Sequence, residues 1–150
     1  MLSIKSEIFN AKTCQIHFSI SGNCRQLQQL YLFNNELTGS IPQSLGNLSK
    51  LEELDLDSNH LTGDIPKEMS NLLCLKILSF FVNNLTASIP SGIFNISSLQ
   101  SISLSANDLY RNLPMDVCDR IPNLNGLYLS YNQLSGQIPT SLHKCVQNFN

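Results

Sequence analysis

The sequence predicts an α/β-type repeat solenoid: short parallel strands on a concave face, backed by a mostly irregular or 3-10 convex side. Three observations predict it. A leucine recurs at Leu27, Leu51, Leu75, Leu99 and Leu124, at intervals of 24, 24, 24 and 25 residues. An asparagine recurs in the same register at Asn35, Asn59, Asn83, Asn107 and Asn132. Between the two columns, apolar and polar residues alternate with period two, the signature of a half-buried strand. Self-similarity at such a period marks a stack of supersecondary units, none of which buries its apolar face alone.

The first full unit, 27–50, reads LQQLYLFNNELTGSIPQSLGNLSK. The second, 51–74, is LEELDLDSNHLTGDIPKEMSNLLC, and the third, 75–98, is LKILSFFVNNLTASIPSGIFNISS. The fourth, 99–123, is LQSISLSANDLYRNLPMDVCDRIPN, with one inserted residue near Cys118. The fifth, 124–147, begins LNGLYLSYNQLSGQIPTSLHKCV. In chain order, Leu30/Leu32, Leu54/Leu56, Leu78/Phe80, Ile102/Leu104 and Leu127/Leu129 are the inward residues of five short strands. The asparagine column follows where the chain leaves the sheet. An amide carries two donors and an acceptor, so a buried one can satisfy backbone groups of its own and neighbouring turns. Asn35, Asn59, Asn83, Asn107 and Asn132 are therefore read as a structural ladder rather than as surface residues.

The pattern LxxLxLxxNxLxGxIPxxLxxLxx resembles the plant-type leucine-rich repeat, from Leu27 to about Val146. The L-P-x-D-V-C variant in the fourth unit is similar to units of plant immune-type receptor kinases of the flagellin-sensing kind. The resemblance implies a leucine-rich-repeat solenoid, and that the I-P segment is a second strand on the flank. Pro42, Pro66, Pro90, Pro114 and Pro139 share that column, and proline is tolerated at a strand edge, where no donor is needed. Gly39, Gly63 and Gly136 free the preceding bend; Ala87 and Arg111 depart from glycine there, so the bend is expected to be reshaped in those units. The columns Leu45/Met69/Ile93/Val117/Leu142 and Leu48/Leu72/Ile96/Ile121/Cys145 close the convex side, with Cys145 expected as a buried, inert thiol. Residues 1–26, where Ile16, Phe18, Ile20 and Asn23 suggest a strand and ladder position, read as a degenerate N-terminal capping segment. Family N-terminal caps carry a tryptophan and a tight cysteine pair; this sequence has no tryptophan. Residues 148–150 read as a truncated tail, and the whole as a slice of a longer receptor.

Composition bounds the function. Charged residues make up 13% of the 150 residues and the net charge is −2, which speaks against nucleic-acid binding, since that needs a basic face. Leu (25), Asn (17) and Ser (20) fill 62 positions, and the repeat accounts for the leucine excess and five of the asparagines. At 42% apolar the chain is too hydrophobic to be disordered. Leu75 to Val82 is the richest apolar run, and Lys76 and Ser79 interrupt it, so no membrane segment is expected. Lys5, Ser6, Glu7, Asn10 and Lys12 deny the start of the sequence a signal-peptide core. Cys14 and Cys24 are close enough in sequence for a disulfide, with two free thiols as the other reading; no C-x-x-C occurs.

Strand alternation places three columns on the concave face: Tyr31, Asp55, Ser79, Ser103, Tyr128; then Phe33, Asp57, Phe81, Ser105, Ser130; then Asn34, Ser58, Val82, Ala106, Tyr131. Glu52, Glu53, Asp55 and Asp57 concentrate negative charge on the second unit, flanked by Tyr31, Phe33 and Phe81. Clustered exposed aromatics suggest a partner site, and this one suits a basic or amphipathic peptide through charge steering and aromatic anchoring. The expected ligand or partner residues are Tyr31, Phe33, Glu53, Asp55, Asp57 and Phe81. Asp55 and Asp57 share a face, a spacing that paired catalytic carboxylates or a calcium site also use, but no pocket or further oxygen ligands accompany them. His17, His60 and His143 fall in unrelated repeat positions. There is no glycine-rich phosphate loop and no H-R-D or D-F-G string, so no catalytic residue, metal site or cofactor is expected. Asn47, Asn84 and Asn95 open Asn-x-Ser/Thr sequons on predicted exposed turns and are glycosylation candidates if the parent is secreted.

The resemblance implies a binding module: part of the extracellular domain of a plant receptor-like serine/threonine kinase or receptor-like protein in defence or development signalling. Its expected partners are a peptide or protein ligand and a co-receptor, at the cell surface. The alternatives are a secreted inhibitor resembling the polygalacturonase-inhibiting proteins, or a truncated fragment without function.

Overall fold

In the computed structural model, the structure describes residues 3–4 and 26–146. One sheet runs through every unit. Its strands are β1 (Ser3–Ile4), β2 (Gln29–Tyr31), β4 (Glu53–Asp55), β6 (Ile77–Ser79), β8 (Ser101–Ser103) and β10 (Gly126–Tyr128), all parallel and in that order. The register pairs Leu30 with Leu54, Leu54 with Leu78, Leu78 with Ile102 and Ile102 with Leu127. A one-residue slip would turn each of these leucines to water, so burial fixes the register. The strand beside β2 is β1; the expected capping strand around Ile16, Phe18, Ile20 and Asn23 lies outside the described residues, as does the Cys14–Cys24 pair.

Behind the sheet the leucine columns form one continuous core. Leu30, Leu54, Leu78 and Ile102 are fully buried, and Phe80 occupies the slot of Leu32, Leu56 and Leu104 with no exposure. Leu127, Leu129 and Leu134 of the fifth unit are only half-buried.

The flank carries β3 (Thr38–Ser40), β5 (His60–Asp64) and β7 (Asn84–Thr86) in one parallel sheet, and β9 (Tyr110–Arg111) beside β11 (Gln133–Leu134) in another. Backbone bonds from Asp108 N to Leu85 O (2.8 Å) and Tyr110 N to Ala87 O (2.9 Å) bridge the two. The second strand exists, but it precedes the I-P pair. Pro42, Pro66 and Pro90 instead stand immediately before 3-10 helices at Gln43–Asn47, Lys67–Asn71 and Ser91–Asn95. A proline has no N–H for a ladder, and its fixed φ suits the entry to a helical turn.

The bend before the I-P pair corrects a second expectation. Gly39, Gly63 and Gly136 have φ of 85°, 76° and 90°, and Ala87 and Arg111 adopt the same left-handed backbone at 64° and 75°. The bend is not reshaped where glycine is missing. The bonds of neighbouring units hold it, and the side chain bears the strain, roughly 1–2 kcal/mol per residue.

The convex side changes character where the extra residue enters. The fourth and fifth units use α-helical turns, α1 (Val117–Arg120) and α2 (Leu142–Val146), in place of 3-10 turns. These turns bring Cys118 and Cys145 together in a disulfide, Cα to Cα 5.5 Å. The expectation of an inert Cys145 thiol is therefore wrong. Cys145 does fill an inward slot, but α1 presents Cys118, from the neighbouring unit, at bonding distance. Among the described residues Cys74 is the free cysteine.

The asparagine column binds each unit to the one before it. Asn83 is typical: its Oδ1 accepts from Leu61 N (3.0 Å) and its Nδ2 donates to Leu56 O (3.0 Å), both in the second unit. Asn59, Asn107 and Asn132 repeat the pattern onto Leu37 N and Leu32 O, Leu85 N and Phe80 O, and Leu109 N and Leu104 O. Asn35 bonds Leu32 O and Phe33 O of its own unit and is half-buried.

Candidate functional site

The concave columns of the second unit form a patch whose acids are fixed by neighbours. Asp55 lies on β4, opposite Tyr31 of β2 and Ser79 of β6. Its Oδ1 accepts from the backbone N–H of Asp57 (3.0 Å). Asp57, two residues on, accepts at Oδ1 from both the Ser79 hydroxyl (2.7 Å) and the Phe81 backbone N–H (2.6 Å). Burial pushes both carboxyls above the ordinary range, opposed at Asp57 by those two donors and at Asp55 by one. Glu53 accepts from Tyr31 Oη and from Gln29 Nε2 (3.2 Å). Burial, then that bond to Glu53 and the charges of Glu53 and Asp55, push the Tyr31 phenol up to about 12, so it stays a donor. Glu52, counted in the acidic cluster, is paired with Lys76 at 2.6 Å.

The structure thus places Tyr31, Glu53, Asp55 and Asp57 on one half-buried polar surface. Phe33 and Phe81, 39% and 41% exposed, stand in the column on either side of Asp57. Asp57 has two roles in this arrangement: it carries charge, and it clamps the backbone that presents Phe81. Ser79 and Ser105, expected to be exposed, are buried. Neighbours cover these small side chains: the Ser79 hydroxyl lies on Asp57, and Ser105 Oγ accepts from Ser130 Oγ (3.1 Å).

Two partners escaped sequence reasoning. Gln29 and Ser79 look like ordinary polar surface positions, and only the strand register, read side by side, pairs them with Glu53 and Asp57. Val82 is a third case. Asn34, Ser58, Ala106 and Tyr131 share its column, and all five have φ between 53° and 56°. A β-branched residue at such a φ is an outlier, and Val82 is also 41% exposed beside Phe81. Larger exposed aromatics occur in the fifth unit: Tyr131 is 86% exposed and Tyr128 54%.

The sequon residues Asn47, Asn84 and Asn95 are all exposed, Asn47 and Asn95 on the convex turns and Asn84 on β7. Arg120 Nη1 donates to Asn95 Oδ1 (3.2 Å). Among the described residues there is no group of His, Cys, Asp and Glu arranged to hold a metal ion, and no helix is long and apolar enough to cross a membrane.

Comparison with known families matches residues 25–72 to a model of leucine-rich repeats in two copies and residues 123–145 to a single leucine-rich repeat. Among solved structures, the chain is similar to the ectodomain of the receptor kinase GASSHO1/SCHENGEN3 from Arabidopsis thaliana. That structure is a complex with CASPARIAN STRIP INTEGRITY FACTOR 2, and the TM-score is 0.79 at 37% identity over 84% of this chain. The chain is a plant-type leucine-rich-repeat protein. The repeat protein also resembles the plant peptide hormone receptor RGFR1, solved with RGF2, at TM-score 0.78 and 33% identity over 81% of this chain. It resembles the ectodomain of the receptor kinase SOBIR1 from Arabidopsis thaliana at TM-score 0.74 and 31% identity over 82% of this chain. It spans 15% of the GASSHO1/SCHENGEN3 chain, 19% of the RGFR1 chain and 65% of the SOBIR1 chain. No curated protein sequence matches it.

Proposed function

We propose that this leucine-rich-repeat chain is a ligand-recognition segment from the extracellular domain of a plant receptor-like kinase or receptor-like protein. It binds a basic or amphipathic peptide on its concave face, and chemistry plays no part. One observation carries the reading: Phe33 and Phe81 are exposed on either side of an acid whose own hydrogen bonds hold Phe81 in place. An interface gains from aromatic anchors presented by a backbone that is already fixed, because less chain freedom is lost on binding. Asp55 and Asp57 supply steering for a positive ligand. The similarity to ectodomains solved with peptide hormones supports the choice of a peptide.

The test is titration of the folded chain with a basic amphipathic peptide, followed by backbone NMR shifts. Phe81→Ala is expected to weaken binding by about tenfold or more, a loss of at least ~1.4 kcal/mol of the kind hot-spot aromatics show. Leu73→Ala, on the convex turn and 68% exposed, is expected to leave it unchanged. Equal losses from both, or shifts confined to the convex side, would sink the concave-face reading. Capture of a fungal polygalacturonase instead would favour the inhibitor.

A further inference from the structure

The convex side carries a repeating turn that the concave patch does not use. Asn47, Asn71 and Asn95 end the three 3-10 helices, and all three are exposed. The residue after each, Leu48, Leu72 and Ile96, is buried in the core. That residue bends the chain: φ and ψ are −80° and 65° at Leu48 and Leu72, and −81° and 91° at Ile96. The first two have inverse γ-turn geometry. Bonds from Ser49 N to Asn47 O (3.0 Å) and from Leu73 N to Asn71 O (2.9 Å) close them. With its middle residue anchored inward, the turn sends the side chains on both sides to solvent, and Ser49, Leu73 and Ser97 are exposed as well. In the outer two units the triplet reads Asn-x-Ser; in the middle unit Leu73 stands in place of the serine. The triplet Asn84–Thr86 has a different setting. It is strand β7, paired with β5 along its length, and Leu85 O accepts from Asp108 N (2.8 Å) on the other side.

We propose that Asn47 and Asn95 carry N-linked glycans, and that the convex turn, not the triplet alone, selects them over Asn84. Asn-x-Ser/Thr is the acceptor triplet of secreted proteins, so the proposal rests on the extracellular reading above. The donor is a lipid-linked oligosaccharide pyrophosphate. The asparagine Nδ2 bonds to the first sugar's anomeric carbon as that carbon's bond to the pyrophosphate oxygen breaks. The lipid pyrophosphate leaves with the electron pair, and Nδ2 gives up one proton to a base. A transferase must take the triplet into its own active site. At Asn47 and Asn95 the triplet is a bent surface turn held by its buried middle residue. At Asn84 it is a strand whose backbone must first leave a neighbour on either side, which costs hydrogen bonds on both edges. Asn95 is oriented besides: Arg120 Nη1 donates to its Oδ1 (3.2 Å), which leaves the acceptor nitrogen, Nδ2, outside that bond. Both sites lie across the leucine core from the concave patch, so a glycan there leaves the proposed peptide surface open.

The test is expression of the full chain behind an added secretory leader in plant cells. Glycans are counted by gel shift before and after enzymatic removal and placed by mass spectrometry of peptides. Two are expected, on Asn47 and Asn95. Asn47→Gln and Asn95→Gln are each expected to remove one, and the double variant both, while Asn84→Gln leaves the count unchanged. Leu73→Ser completes the triplet at Asn71 in the same turn and is expected to add one. Bare Asn47 or Asn95 overturns the sites. Occupancy of Asn84 equal to that of Asn47, or a Leu73→Ser variant that gains no glycan, overturns selection by the turn. A chain that carries both glycans yet binds no basic amphipathic peptide, before or after their removal, keeps the sites and sinks the recognition reading alone.

Discussion

At the scale of single residues, the concave patch is a set of acids that give up hydration to hold their neighbours. Asp57 shows the balance most directly, because one oxygen serves Ser79 and Phe81 at once. Its folded-state pKa lies above the ordinary carboxylate value, with burial as the largest cause. The sign follows from linkage. The unfolded chain loses this proton at the ordinary, lower pKa, so with the group ionised near neutrality the folded state carries the penalty. As pH falls through the raised folded pKa, the folded state takes up the proton first and gains stability; below the ordinary range both states are protonated and the gain levels off. Asp57→Asn keeps an acceptor oxygen and removes this titration. The stability of the parent relative to Asp57→Asn is therefore expected to rise as pH is lowered from about 7 to about 4. Paired denaturant titrations check it, and a flat or falling difference would contradict the burial argument. Asp55 is raised for the same first cause, and that part cancels in the comparison; the part due to the charge of Asp57 is lost in Asp57→Asn and adds to the expected slope in the same direction.

At the scale of elements, the flank bend shows that repeat context outranks residue preference. Three units use glycine at left-handed φ, and two reach the same backbone with Ala87 and Arg111. An alanine there costs roughly 1–2 kcal/mol in the folded state, whereas glycine costs about 0.5–1 kcal/mol through the freedom it gives the unfolded chain. The first is the larger, so Ala87→Gly is expected to stabilise by about 0.5–1 kcal/mol, read as an upward shift of the melting midpoint. A drop would mean that the bend in the third unit is not strained. Reading the bend from sequence alone fails because glycine's absence is local information. The bonds that impose the bend, such as Tyr110 N to Ala87 O, come from the next unit, 23 residues away.

At the scale of the whole molecule, the leucine columns and the parallel sheet were legible because they recur every unit, and the 3-10 convex turns belong to the first three units; a single strand of three residues would not have been legible. The Cys118–Cys145 bond was not legible: it depends on α1 and α2, which replace 3-10 turns only after the inserted residue. The site was legible as a cluster of acids and aromatics, but not in its internal bonds, since Ser79 and Gln29 carry no mark of their own. The ladder gives the solenoid its coupling. In a linear array, stability is a sum of unit terms and nearest-neighbour terms, and Asn83 supplies part of the contact between the second and third units through Leu61 N and Leu56 O. Asn83→Ala leaves the buried Leu61 N–H unpaired, at about 1–3 kcal/mol, and takes one of two donors from Leu56 O, which keeps Asn59 Nδ2, so a loss of roughly 2–4 kcal/mol is expected. Among the described residues Asn35 bonds only Leu32 O and Phe33 O of its own unit, from a half-buried side chain, and Asn35→Ala is expected to cost about 1 kcal/mol or less. Hydrogen exchange separates the two further. In Asn83→Ala the Leu61 amide should lose protection well beyond the global change, while Asn35→Ala leaves the Leu61 amide at its parent level. If the two variants cost the same, the ladder acts within units rather than between them, and the coupling must come from the leucine core alone.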